Sequence, residues 1–118
     1  MSTMDRVQDL LEKIKKFRDA RDWKQFHNHK DMALSIVLEA SELLEHFQWK
    51  NENEIDEVAI KKREELEEEI GDIILYLVEL SDNLGIDPIE AANKKIRKNE
   101  IKYPVNKSKG SAKKYTEL

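Results

Sequence analysis

The sequence predicts an all-α fold, a bundle of four to five helices, and three observations carry that prediction. Turn residues are scarce, with 3 Gly and 2 Pro in 118 residues. The alternating β-branched runs that strands need are missing. Apolar residues recur instead at three- and four-residue steps along most of the chain. Leu, Ile, Val and Phe make up 31 of the 118 residues, above the roughly 20% below which a highly charged chain stays unfolded. The length suits one domain, expected over residues 1–103 with a basic tail at 104–118.

The first helix is expected from near Thr3 to about Arg21, with Val7, Leu10, Leu11, Ile14 and Phe17 on one face. The aromatic connector Trp23 to His29 breaks the period, and a second helix is expected from Lys30 or Asp31 to about Phe47. Asn51-Glu52-Asn53-Glu54 reads as a polar turn, followed by one long helix from about Asp56 to Leu84 that Gly85 ends as a C-cap. Asp87-Pro88-Ile89-Glu90 combines a capping Asp, a Pro in the first helical position and a Glu in the third. The helix it starts stops before Tyr103-Pro104, because the residue preceding Pro avoids helical angles. The composition of 104–118 favours a flexible tail.

Composition also removes several classes of function. The absence of Cys excludes a disulfide framework. The longest apolar run, Ile73 to Val78, falls far short of the roughly 20 residues of a membrane span. With no apolar signal region at the N-terminus, a cytoplasmic protein without a membrane partner is expected. The formal charge of −4 divides into −7 on residues 1–102 and +3 on 103–118, which disfavours nucleic acid as the main ligand.

Chemistry concentrates in carboxylates. On a helical wheel at about 100° per residue, Glu39 and Glu42 edge the apolar arc of the second helix. Glu69 and Asp72 edge that of the third, with Tyr76 one turn further on. If the two arcs pack, four carboxylates converge, and like charges one turn apart are unfavourable, far more so when desolvated, unless a proton or cation compensates. Oxygen ligands without Cys or His in register suit Mg²⁺ or Mn²⁺. The alternative at this level is a solvated acidic face. A ferritin-like di-iron centre is excluded, since the residues three before His27, His29 and His46 are Lys24, Phe26 and Leu43, which leaves no Glu-x-x-His. Zinc-protease and phosphate-loop motifs are absent too.

Glu39-Ala-Ser-Glu42, a gap of 26 residues and Glu69-Ile-Gly-Asp72 together resemble the paired acidic signature of MazG-like all-α nucleoside triphosphate pyrophosphohydrolases. The segments Arg21 to His27, Glu45 to Lys50, Ile74 to Val78 and Lys113 to Leu118 extend the resemblance, from about Leu10 to Leu118, to the dCTP pyrophosphatase branch. The resemblance implies Mg²⁺-dependent hydrolysis, with Mn²⁺ able to substitute, between the α and β phosphorus atoms of a nucleoside triphosphate. The products are a nucleoside monophosphate and pyrophosphate. The expected substrate is dCTP or a modified dCTP, in nucleotide-pool house-cleaning.

By the same resemblance Glu39, Glu42, Glu69 and Asp72 are metal ligands, with Glu45, Glu65 and Glu68 nearby. Trp23, Lys24, Gln25, Phe26, His27, Trp49 and Tyr76 contact the substrate, and Lys95 and Asn99 form a phosphate-facing pair. A helix-one position that carries His in that branch is Ile14 here. Without the resemblance, Trp23, Phe26 and Trp49 read as core anchors or interface plugs. Gly71, unfavourable inside a helix, reads as a site of close helix packing. The resemblance further implies a homotetramer, a dimer of dimers whose subunits share active sites. Broad (deoxy)nucleoside triphosphate hydrolysis is the nearest alternative, and a non-catalytic helical interaction protein the rival from another class.

Overall fold

The computed structural model describes residues 5–118, and among these no strand occurs. The helices are α1 (Arg6–Ala20), α2 (His29–Glu45), α3 (Glu52–Lys61), α4 (Arg63–Asn83), α5 (Pro88–Lys102) and the single turn α6 (Val105–Ser108), with 3-10 turns at Lys24–Phe26 and Tyr115–Glu117. The expected start of the first helix near Thr3 lies outside the described residues. The chain divides into two compact units, one ending at Gly85 and one beginning at Ile86.

In the first unit α4 is the element on which the others pack. α2 lies against it most extensively, followed by α1 and α3. Each helix start has a local cause. Asp5 accepts the N–H of Val7, and Asn28 that of Asp31. Asn51 accepts the N–H of Glu54, whose own carboxylate receives the N–H of Asn51. That reciprocal capping box turns the expected polar turn at 51–54 into the start of α3.

The single long helix expected from Asp56 to Leu84 is two. Lys62 leaves helical geometry at φ −108°, ψ 28°, with neither Gly nor Pro to mark the place. A continuous helix would set the Lys62 ammonium on the line of four-residue steps from Val58, which is buried, to Leu66. The break falls at that residue. At the far end of α4, Gly85 takes φ +70° and its N–H bonds to Asp82 O, ending the helix as the sequence predicts.

The interior of this unit is small. Leu11 and Ile14 of α1 meet Val78 of α4, with Val7 and Leu10 packed alongside, and Met32 is 1% exposed. Much of the apolar surface on α2 and α4 stays open, including Leu34, Val37, Leu38 and Leu44 on α2 and Ile70, Ile74 and Leu77 on α4. Ala40, Leu43, Leu44, Phe47, Leu66 and Ile70 line a groove of about 480 Å³. The expected packing of the two apolar arcs is therefore partial.

In the second unit, Asp87 accepts the N–H groups of Ile89 and Glu90 beside Pro88, and α5 ends at Tyr103 before Pro104, as the sequence predicts. Residues 104–118, expected as flexible chain, hold α6 and the last 3-10 turn. The Tyr115 ring stands edge-on to Tyr103 at 6.0 Å, and the Lys102 ammonium lies 4.8 Å above it.

Close packing does not account for Gly71, since a Cβ added there would meet no atom within 4 Å. Gly71→Ala should therefore stabilise the chain by about 1 kcal/mol through helix propensity. Gly85→Ala should destabilise it by about 1–2 kcal/mol because the left-handed backbone penalises a Cβ. Urea unfolding of the two variants should move in opposite directions, and a destabilised Gly71→Ala would show that something outside this chain approaches the helix there.

Candidate active site

Packing of α2 along α4 brings Glu39, Glu42 and Glu69 together, with one carboxylate oxygen of each within 4.8 Å of the others. Glu39 and Glu42 are one turn apart on α2, and Glu69 faces them from α4. Oε2 of Glu39 and Oε2 of Glu69 are buried and have no hydrogen-bond partner. Burial, followed by the Glu42 carboxyl, pushes Glu39 up to about 7. The same two causes push Glu69 up, and His46, whose Nε2 lies 3.9 Å from Glu69 Oε1, opposes them. Buried oxygens without donors, in an all-oxygen set, fit a hard divalent cation.

Asp72 stands outside this trio but close enough to raise both Glu39 and Glu69 by its charge. It forms part of the wall of an adjoining cleft of about 380 Å³, within the size range of small-molecule sites. Trp23, His27, Tyr76, Leu75 and Ile14 line the same cleft. Burial, followed by the charges of Glu39 and Asp72, pushes the Tyr76 phenol up, so its O–H remains a donor.

The loop after α1 sets the aromatic wall. Arg18 O accepts the N–H groups of both Arg21 and Trp23, and Asp22 between them takes φ +55°. Trp23 thereby lands edge-on to Phe17 at 5.7 Å, and the Arg21 guanidinium lies 3.7 Å over the Phe17 ring. Beneath the loop, His27 Nδ1 lies 2.6 Å from Glu79 Oε2. Glu79 and Arg18 are 3% and 4% exposed, and Arg18 Nη1 is 3.6 Å from the same oxygen.

Of the residues singled out in the sequence, the structure thus unites Glu39, Glu42 and Glu69 at one place and Asp72, Tyr76, Trp23 and His27 around the neighbouring cleft. Others stand apart. The Gln25 amide donates to Asp22 O and Oδ2, Lys24 lies exposed in the 3-10 turn, and Phe26 is exposed. Trp49 is 91% exposed, on a residue with φ +68°. Lys95 and Asn99 share α5 in the second unit, where Asn99 O accepts the Tyr103 N–H.

Four residues near these groups escaped the sequence reading. Glu79 extends the series Glu69, Asp72, Tyr76 at three- and four-residue spacing, and His46 extends Glu39, Glu42 in the same way. Arg18 sits four residues after Ile14 on an otherwise apolar stripe. These spacings were available signals. Lys62, which borders a pocket with Glu42, His46, Lys50 and Glu69, had none.

Residues 34–118 match the family described as MazG-like. The chain is 40% identical over 114 residues to dCTP pyrophosphatase 1 of Mus musculus, covering 95% of this chain and 67% of that protein. It is 36% identical to the Homo sapiens protein of the same name, over the same share of each. The crystal structure of a pyrophosphatase from Archaeoglobus fulgidus superposes with a TM-score of 0.84 at 43% identity, covering 88% of this chain and 97% of that one.

The raised carboxyls make a signed pH prediction. Glu39 keeps its proton in the folded chain up to about 7, above its ordinary 4.5. The stability this contributes is full below the ordinary value and is lost as pH rises through the folded one. Without divalent cations, the unfolding temperature should fall between about pH 5 and pH 8, and Glu39→Gln should flatten the decline. Identical profiles for the two proteins would refute the assignment.

Proposed function

The chain belongs to the MazG-like family, and from that premise we propose that it hydrolyses nucleoside triphosphates between the α and β phosphorus atoms, with dCTP or a modified dCTP preferred. The products are the nucleoside monophosphate and pyrophosphate, and the role is nucleotide-pool house-cleaning. The observation that carries the proposal is the junction of two unlike places: three carboxylates with orphaned buried oxygens, and beside them a cleft walled by Trp23, His27 and Tyr76.

Glu39, Glu42 and Glu69, with Asp72 at the boundary, would hold Mg²⁺, or Mn²⁺ in its place. Bound there, the cation offsets the charge of the triphosphate, which the acidic ledge would otherwise repel. Trp23 offers the base a flat apolar face, and Tyr76 keeps a phenolic donor beside Asp72. Oriented by these side chains, the α phosphate would lie at the carboxylates, where positioning contributes to the rate.

Ile14 in the cleft wall favours a second reading, broad (deoxy)nucleoside triphosphate hydrolysis, because an apolar side chain there supplies no hydrogen bond with which to choose a base. A homotetramer, a dimer of dimers, belongs to the same proposal. The open apolar faces of α2 and α4 and the groove between Leu43, Phe47 and Ile70 support it.

Pyrophosphate release from a panel of canonical and modified nucleoside triphosphates tests the proposal. Turnover should require Mg²⁺ or Mn²⁺, and Glu69→Gln should lower it by roughly 100-fold or more with helicity by circular dichroism retained. Preference for dCTP would support the narrower reading and even turnover the broader one. A wild-type protein inert toward every nucleotide would end both.

A further inference from the structure

Arg18 and Glu79 form a buried charge pair in the first unit. A carboxylate 3% exposed needs a countercharge, which the Arg18 guanidinium supplies from 3.6 Å while its Nε donates to Asp19 Oδ1 at 2.9 Å. Opposite the Arg18 guanidinium a carboxylate acts as an acceptor, and the 2.6 Å contact with His27 would then take its hydrogen from Nδ1 of the imidazole. In the neutral ring this leaves Nε2 with its lone pair. Nε2 makes no hydrogen bond among the described residues, and His27 forms part of the cleft wall with Trp23 and Tyr76.

We propose that the buried Arg18–Glu79 pair is a positioning device that fixes His27 in the Nδ1-protonated tautomer. Its Nε2 then becomes a hydrogen-bond acceptor for the exocyclic amine of the substrate base. The inference rests on the nucleotide reading of the cleft and deepens it. An acceptor at this place pairs with the amino group of cytosine, whereas the oxo group of uracil or thymine would set two lone pairs against each other. An unpaired polar group in a desolvated pocket discriminates far more strongly than a missing methyl group does. Ile14 offers the base no polar contact, so His27 and the residues that set its tautomer stand beside Tyr76 and Asp72 as the polar groups of this wall.

Two measurements test this. In the ¹⁵N-labelled wild-type protein at about pH 8, where an imidazole is ordinarily neutral, long-range ¹H–¹⁵N correlations should place the His27 proton on Nδ1. A proton on Nε2, or on both nitrogens, overturns the proposal. The second is the ratio of kcat/KM for dCTP over dUTP in Glu79→Gln. An amide in place of the carboxylate beside a functional His allows the other tautomer, as in the handicapped triads of serine proteases. The ratio should fall at least tenfold, mainly through a higher KM for dCTP. A folded variant with the wild-type ratio overturns the proposal, and if the variant does not fold the tautomer measurement decides.

Should the wild type hydrolyse no nucleotide, the proposed function fails by itself. The tautomer and calorimetric binding of dCMP against dUMP still judge the present inference. Stronger binding of dCMP supports it, and equal binding overturns it.

Discussion

The acidic half of the candidate site is governed by the mutual repulsion of Glu39, Glu42 and Glu69, held with their oxygens within 4.8 Å of one another. Such a cluster persists only if packing elsewhere holds the helices together and protons or cations relieve the charge. Both conditions are met. The α2–α4 contact is the most extensive in the first unit, and Glu39 and Glu69 answer with carboxyls pushed upward. The interface that does most to define the fold is thus also the one that carries the repulsion. Any cation that relieves the cluster would also favour the packed state, so its binding would be linked to stability.

The same helices bear another unmet demand. Leu34, Val37, Leu38, Ile70 and Leu77 remain half exposed while the interior centres on Leu11, Ile14, Val78 and Met32. At about 25 cal/mol for each Å² of apolar surface withdrawn from water, covering these faces would contribute more than any surface ion pair in the chain. The pairs Lys13–Asp9, Lys61–Glu57 and Arg63–Glu67 are solvated i,i+4 contacts of the kind worth a few tenths of a kcal/mol each. Burial by association is the larger available source of stability, which is the physical case for an oligomer.

Several helix ends were legible from local rules, although the Asn51–Glu54 capping box that starts α3 reads equally as a polar turn. Asp87-Pro88 starts α5, Gly85 ends α4, and three- and four-residue spacing put Glu39, Glu42 and Glu69 on edges that meet. The break at Lys62 was not legible, because no Gly or Pro marks it and the conflict that it resolves is one of pattern over two turns. The His27–Glu79 contact spans 52 residues of sequence. Spacing within a helix can nominate Glu79, but only the fold can name its partner. The exposure of Trp49 likewise depends on a left-handed residue beyond the end of α2, where helical periodicity no longer constrains the side chain.

One face of α4 joins the two halves of the site. Glu69, Asp72, Tyr76 and Glu79 follow one another at three- and four-residue steps, about 15 Å of helix from first to last at 1.5 Å per residue. The first belongs to the acidic trio, the middle pair to the boundary and the cleft, and the last sits buried under His27. That order passes from a place suited to cations and phosphate to one suited to a base, over a length comparable to an extended nucleotide. A rigid helix preserves the spacing between these groups better than loops can. On the proposed reading a single straight element would meet two requirements, neutralising a polyanion and reading a ring, which would otherwise have to be aligned across separate parts of the chain.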